Sequence, residues 1–353
     1  MRTSNIILIV CCWCLLAVST QAQEFDPQKL LLDSIECDKL DVSRVKTALD
    51  KGANPNWVSD TKRRYSVIGH LAMVGPGSKD ERAEEKSVEI FQMLFRAGAK
   101  LQQFDQNILY WPVYEGWEDF TEILLRNGAT PTKPINRETP MEIAVTKGHT
   151  NIINLLKKHG VPELERSVVA QIALIETTWK GDIARMEEAI QNGAYLNGTN
   201  SKGETALIKA VSYKIYNFTC NGVEYLLKKG ADPNVKGEHV YLGKTTALHI
   251  VMDSSSSTFG REIKNEDLKE AQTYARLTIE SLLRHGAHVS ARDGSGRTPL
   301  HTAAKNNNIV GAKILIEAGA KIMSRDNKGK TPLDYAESGE MIKLLKAHGA
   351  KEE

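Results

Sequence analysis

Apolar residues along this chain recur three and four positions apart in short stretches, and each stretch halts at a glycine. Ile309, Ala312, Ile314, Leu315 and Ile316 form one such stripe, closed by Gly319. Just before it, Leu300, Ala303 and Ala304 give a shorter helix a stripe with small residues where a neighbour must come close. The same glycine stop, mostly Gly-Ala, occurs nine times: at Gly52, Gly98, Gly128, Gly160, Gly193, Gly230, Gly286, Gly319 and Gly349. Successive stops lie 30 to 37 residues apart, apart from gaps of 46 and 56. A period near 33 that survives stretching predicts an array of similar helix pairs and not one globular core. The glycine is the left-handed residue that ends each second helix.

The openings of the units carry a second pattern. Thr298-Pro299-Leu300-His301 places a capping threonine before a proline suited to the first helical turn. Variants stand at Thr139-Pro140-Met141, Thr205-Ala206-Leu207, Thr246-Ala247-Leu248-His249 and Thr331-Pro332-Leu333. Gly230-Ala231-Asp232-Pro233-Asn234 and Gly52-Ala53-Asn54-Pro55-Asn56 supply the matching endings. On these motifs the chain resembles the ankyrin-repeat family, from about residue 29 to 350. The resemblance implies an all-α ankyrin-repeat solenoid of about nine helix-turn-helix units with short hairpin-like turns. It also implies a protein-binding function, since first helices line a concave face and turns project as fingers.

Three stretches break the period: 75–85, 254–266 and a smaller one at 213–218. Each falls between the first and second helix of a unit and is expected as a loop on one edge. The unit at 167–197 lacks the threonine-proline opening and starts with a long first helix after Val161-Pro162-Glu163, much like Leu30 to Asp41 at the start. This predicts two sub-arrays, 24–163 and 164–353.

The first 22 residues stand outside the period. Arg2 precedes an apolar run from Ile6 to Val18, then Ser19-Thr20-Gln21-Ala22, the form of a secretory signal cut after Ala22. The run is too short to span a bilayer. The mature chain is therefore expected in the periplasm or outside the cell. Of five cysteines, Cys37 and Cys220 lie beyond this signal, in units far enough apart that no disulfide between them is expected. A balance of 46 basic against 44 acidic residues, with no dense basic stretch, argues against nucleic acid as a partner.

Catalytic signatures are missing: no G-x-S-x-G, P-loop or dinucleotide fingerprint occurs. The resemblance assigns His249 and His301 to ordering turns between units, while His149 opens a second helix and His159, His285 and His348 sit at helix ends. His70, His239 and His288 are not so explained, and no carboxylate or thiol falls in metal-like register with them. No enzyme activity, cofactor or metal is expected. Asn197 and Asn217 fit the glycosylation acceptor pattern, and Asn197 also reads simply as a turn residue.

A partner site follows from the register. Positions matching Thr302, Lys305 and Asn306 on the implied concave face are His70, Trp111, Tyr114, Glu115, Lys147, Glu176, Trp179, Lys180, Lys209, Tyr213 and Tyr335. The segment Leu109 to Phe120 stands out, having lost its threonine-proline opening while holding Trp111, Tyr114 and Pro112 within the expected first helix. Two readings compete there: an aromatic contact surface, or rings filling an irregular unit. A protein partner bound by a monomeric chain is expected. A general scaffold and a neutraliser of one enzyme or toxin are both open, with an enzyme sited in the insertions a more distant third.

Overall fold

A computed structural model describes residues 25–36, 39–59, 65–78, 80–101, 108–134, 137–178, 180–212, 221–239, 242–253 and 265–351. The expected signal, Cys37, Cys220, Trp179, Tyr213, Asn217 and most of the 254–266 insertion lie outside the described residues. The chain divides into two compact units, Met1–Glu163 and Leu164–Glu353.

The first unit is a succession of helix pairs: α1 (Pro27–Asp33) with α2 (Val42–Asp50), α3 (Val67–Val74) with α4 (Ala83–Arg96), α5 (Tyr110–Glu115) with α6 (Glu118–Arg126), and α7 (Pro140–Lys147) with α8 (Thr150–Lys158). A two-residue hairpin, β1 (Ile35–Glu36) with β2 (Lys39–Leu40), links α1 to α2. The second unit pairs α9 (Arg166–Thr178) with α10 (Ile183–Gln191), α11 (Ala206–Ser212) with α12 (Asn221–Lys228), α13 (Ala247–Asp253) with α14 (Asn265–Arg284), and α15 (Pro299–Lys305) with α16 (Ile309–Glu317). A 3₁₀ turn at Pro332–Tyr335 then stands where a first helix would, ahead of α17 (Gly339–Ala347). Strands β3 (Gly237–His239) and β4 (Gly243–Thr245) form a finger between α12 and α13.

Sequence explains the division of labour within a pair. Most first helices are short, with α9 at 13 residues the long exception, and in α11 every residue from Ala206 to Val211 is buried. Second helices are amphipathic, and α8 buries Ile152, Leu155 and Leu156 while its lysines face solvent. In the first unit Phe91 and Phe120 are fully buried and meet edge to face at 5.9 Å. Each such ring contributes about 2–3 kcal/mol by leaving water. All nine stop glycines adopt φ between 82° and 99°, a region that disfavours any side chain.

Neighbouring pairs are tied by an asparagine four residues past three of the stops, Gly52, Gly193 and Gly230. Asn56 donates from Nδ2 to the Gly98 carbonyl (2.8 Å) and accepts at Oδ1 from Lys100 N–H (2.8 Å). Asn234 repeats this on Gly286 (2.9 Å) and His288 (2.7 Å), and Asn197 accepts from Asp232 N–H (2.9 Å). The first pair of each unit has no preceding pair within that unit, and a glutamine of its own first helix takes over. Gln28 accepts from Asn54 N–H and Gln171 from Tyr195 N–H, both at 2.9 Å.

Two expectations change. The 75–85 stretch is not all loop: Gly75–Gly77 is a 3₁₀ turn, and α4 begins at Ala83. The helix α14 begins at Asn265 and runs 20 residues, so the end of the 254–266 stretch extends a helix. Among the described residues, no helix is long and apolar enough to cross a membrane.

Candidate protein-binding face

Helix α5 is built to display rings. Pro112 sits at its third residue, inside the first turn, where backbone N–H groups have no helical partner and proline removes nothing needed. Pro112 and Val113 are buried and anchor the helix. Tyr110, Trp111 and Tyr114 are left half-exposed and pack on one another. Tyr110 stacks on Tyr114 (5.7 Å between centroids), and Trp111 meets both edge to face, at 5.0 and 5.6 Å. Such aromatic contacts add about 0.5–1.5 kcal/mol per pair and hold the rings in fixed orientation. Val113 and Pro112 fill the interior there, while the three rings stay partly open to solvent.

The next helix pair supports this surface from its side. Lys147 is exposed, with its Nζ 3.5 Å from the centre of the Tyr114 ring. The Nε2 of His149 lies 3.0 Å from the Tyr114 main-chain oxygen, within hydrogen-bond reach at the end of α5. Gly116, at φ 81°, closes α5 beneath that imidazole, and a Cβ there would stand 2.8 Å from the ring. Glu115 is solvent-facing, yet desolvation raises its carboxyl pKa, opposed by the charges of Lys147 and His149. From α4, Glu84 Oε1 accepts from Asp119 N–H (2.9 Å) and Phe120 N–H (3.3 Å), capping α6 across the pair boundary. Trp117 packs against Phe120 (6.2 Å) and near Gly75, so it serves the interior.

The other register positions scatter. His70 is half-buried on α3, and burial lowers its pKa. Lys209 corrects its placement as an open contact: it is 6% exposed, with Nζ 3.5 Å from Glu176 and 3.3 Å from Glu204. Glu176 is thereby engaged as well, in an ion group inside the second unit. Lys180 is exposed, while Tyr335 is half-buried with its hydroxyl bonded to Asp326 (2.6 Å). Trp111, Tyr114, Glu115 and Lys147 are thus gathered in one place in the first unit, and Tyr110 joins them unpredicted. Its spacing of one and four residues from Trp111 and Tyr114 was the available signal.

The histidines of the threonine-proline openings are structural bridges. The Nδ1 of His301 accepts from Thr298 N–H (3.0 Å), which leaves Nε2 to donate to the Lys330 carbonyl at 3.0 Å. His249 lies likewise between Thr246 Oγ1 (2.8 Å) and the Arg297 carbonyl (2.9 Å). Burial lowers the pKa of His301 and brings that of His249 down to about 4. Asn197 spends its side-chain oxygen on Asp232, in agreement with a turn role. Among the described residues, no three His, Cys, Asp or Glu side chains group as a metal would require.

Helix pairs with left-handed glycine stops and projecting turns define a repeat protein. The ankyrin-repeat family model matches residues 270–353 in three copies. The chain is also similar to human mitochondrial disaggregase, 29% identical over 189 residues, which cover 51% of this chain and 26% of that protein. A protein of Acanthamoeba polyphaga mimivirus named as an ankyrin repeat protein, L86, is 28% identical over 159 residues, or 43% of this chain and 26% of its own length. Alpha-latrotoxin-Lg1a of Latrodectus geometricus is 24% identical over 215 residues, covering 55% of this chain and 15% of the toxin. The chain thus spans about a quarter or less of the curated relatives it matches. Ankyrin repeats indicate a protein-interaction module.

Proposed function

We propose that the whole chain beyond the signal is an array of nine ankyrin units, exported from the cell, that works without catalysis as a binding module for one protein partner. The observation that carries this is the aromatic trio of α5. Three large rings are held half-exposed, braced by Lys147 and His149, at a helix whose packing is met by Pro112 and Val113. Exposed Trp and Tyr held rigidly are the side chains that most often dominate interface energies, at about 2 kcal/mol or more each. Export rests on the basic start and short apolar run ahead of Ala22. The array of nine rests on the nine glycines with one shared conformation. The experiment is a pull-down from the exported proteins of the source organism, with residues 23–353 as bait. Saturable retention of one protein, lost when Trp111 and Tyr114 are replaced by Ala, supports the reading; no retained protein at any salt concentration overturns it.

A further inference from the structure

The turns of the second unit have a chemistry of their own, apart from the rings of α5. Three successive fingers are tied tip to tip. Gly294 N–H donates to the Lys244 carbonyl at 2.9 Å, and Asn327 N–H to the Ser295 carbonyl at 3.0 Å. Along this row Lys236, Lys244, Arg292, Arg325, Lys328 and Lys330 are all exposed. The acids interleaved with them are largely turned inward. Asp293 accepts at Oδ1 from Ser295 and Arg297 N–H groups (2.8 and 2.9 Å), and its Oδ2 pairs with Arg297 at 2.8 Å. Asp326 accepts from Lys328 and Lys330 N–H groups (2.8 and 3.0 Å) and from Tyr335 OH. Both aspartates are buried, at 6% and 7% exposure. The turns thus consume negative charge to hold their shape and leave positive charge outside, on a chain whose net charge is only +2.

We infer that this finger row docks an extended acidic segment of a protein partner, with a carboxylate at every third residue. The inference rests on the binding-module reading and names the partner chemistry for the second unit. Packed helices repeat about every 8–10 Å, and the fingers inherit that spacing. A polyproline-type chain turns once in three residues and rises about 9 Å in doing so, so side chains at every third position fall on one side at the finger spacing. Such a segment carries no internal hydrogen bonds, and its ordering cost is low because the conformation is already favoured in unfolded chain. A nucleic acid fits less well. It brings a negative charge at every nucleotide, and exposed Asp232 and half-buried Glu238 flank Lys236 in the same row.

The test is fluorescence anisotropy on the chain from residue 23 onward. The probes are a labelled peptide with Glu at every third position and Pro or Ala between, an isomer with its Glu residues contiguous, and a single-stranded oligonucleotide of matched charge. The spaced peptide is expected to bind about tenfold more tightly than its isomer, with affinity falling as salt rises. Arg292→Glu with Lys328→Glu is expected to weaken it about tenfold or more, while melting falls only slightly through loss of the exposed hydrogen bond from Arg292 to the Arg325 carbonyl. Should that pair perturb folding, Lys236→Gln with Lys244→Gln on another finger reads the same loss. The inference is overturned if the peptide fails to bind, if the isomer or the oligonucleotide binds as tightly, or if a folded charge variant binds undiminished. A chain that retains a protein partner through Trp111 and Tyr114 yet ignores the spaced peptide leaves the binding-module reading standing and removes this one.

Discussion

Lys147 Nζ stands 3.5 Å from the centre of the Tyr114 ring, so a charge from one helix pair rests on an aromatic face of the pair before it. Both side chains reach solvent, which limits the contact to about 0.5–1 kcal/mol. Lys147→Met keeps the aliphatic stem and removes the cation. We expect a stability loss below about 1 kcal/mol by urea unfolding, and a larger proportional loss in partner affinity. Equal melting and equal affinity would show that the lysine merely lies there.

Asn234→Ala removes two hydrogen bonds that join one pair to the next, to the Gly286 carbonyl and the His288 N–H. Both are near the surface, and a loss of about 1–3 kcal/mol is expected. Asn234→Asp retains the acceptor toward His288 but sets a carboxylate beside a carbonyl, so it should recover little. Thermal melts of the two variants decide the point.

Gly116→Ala meets two obstacles: a φ of 81° and the imidazole of His149 at 2.8 Å from the added carbon. The backbone term alone costs about 1–2 kcal/mol. Adding His149→Ala relieves the clash but not the backbone strain, so the double variant should be more stable than the sum of the two singles implies. Strict additivity in unfolding free energies would contradict this packing.

Acid should loosen the second unit through His249. Its folded pKa is about 4, against 6.5 for the free side chain, because burial penalises the cation. Between those values the unfolded chain binds more protons than the folded one, so stability rises with pH. The contribution is fully present above 6.5 and is lost as pH falls toward 4, up to about 3 kcal/mol. His249→Gln should flatten the stability profile across that window, measured by chemical unfolding at successive pH values. An unchanged slope would place the acid sensitivity elsewhere.

Much of this was legible in the residues. The glycine stops have a single conformational requirement, so they mark helix ends wherever they occur. The amphipathic second helices follow from their apolar spacing alone. Less legible were contacts made between neighbouring helix pairs, because no period within one pair encodes its neighbour. Asn56, Asn197 and Asn234 do share the fourth place after a stop, a regularity visible in sequence but without meaning until the facing carbonyl is placed. Lys209 misled for the same reason: its register matches an open position, while Glu176 and Glu204 converge on it and draw it inward. In α5, Pro112 is expected within a first helix, and it is tolerated there because the helix starts at Tyr110 and the proline falls in the first turn.

The double variant Trp111→Ala with Tyr114→Ala tests the binding-module account most directly. Partner affinity and melting temperature are to be measured on the same preparations. A surface role predicts an affinity loss of more than about tenfold in a chain that still folds cooperatively, its melting lowered only by the ring and Lys147 contacts that leave with the two side chains, since Pro112 and Val113 still anchor the helix. Undiminished binding, or a large drop in melting temperature that accounts for the lost binding, would contradict it.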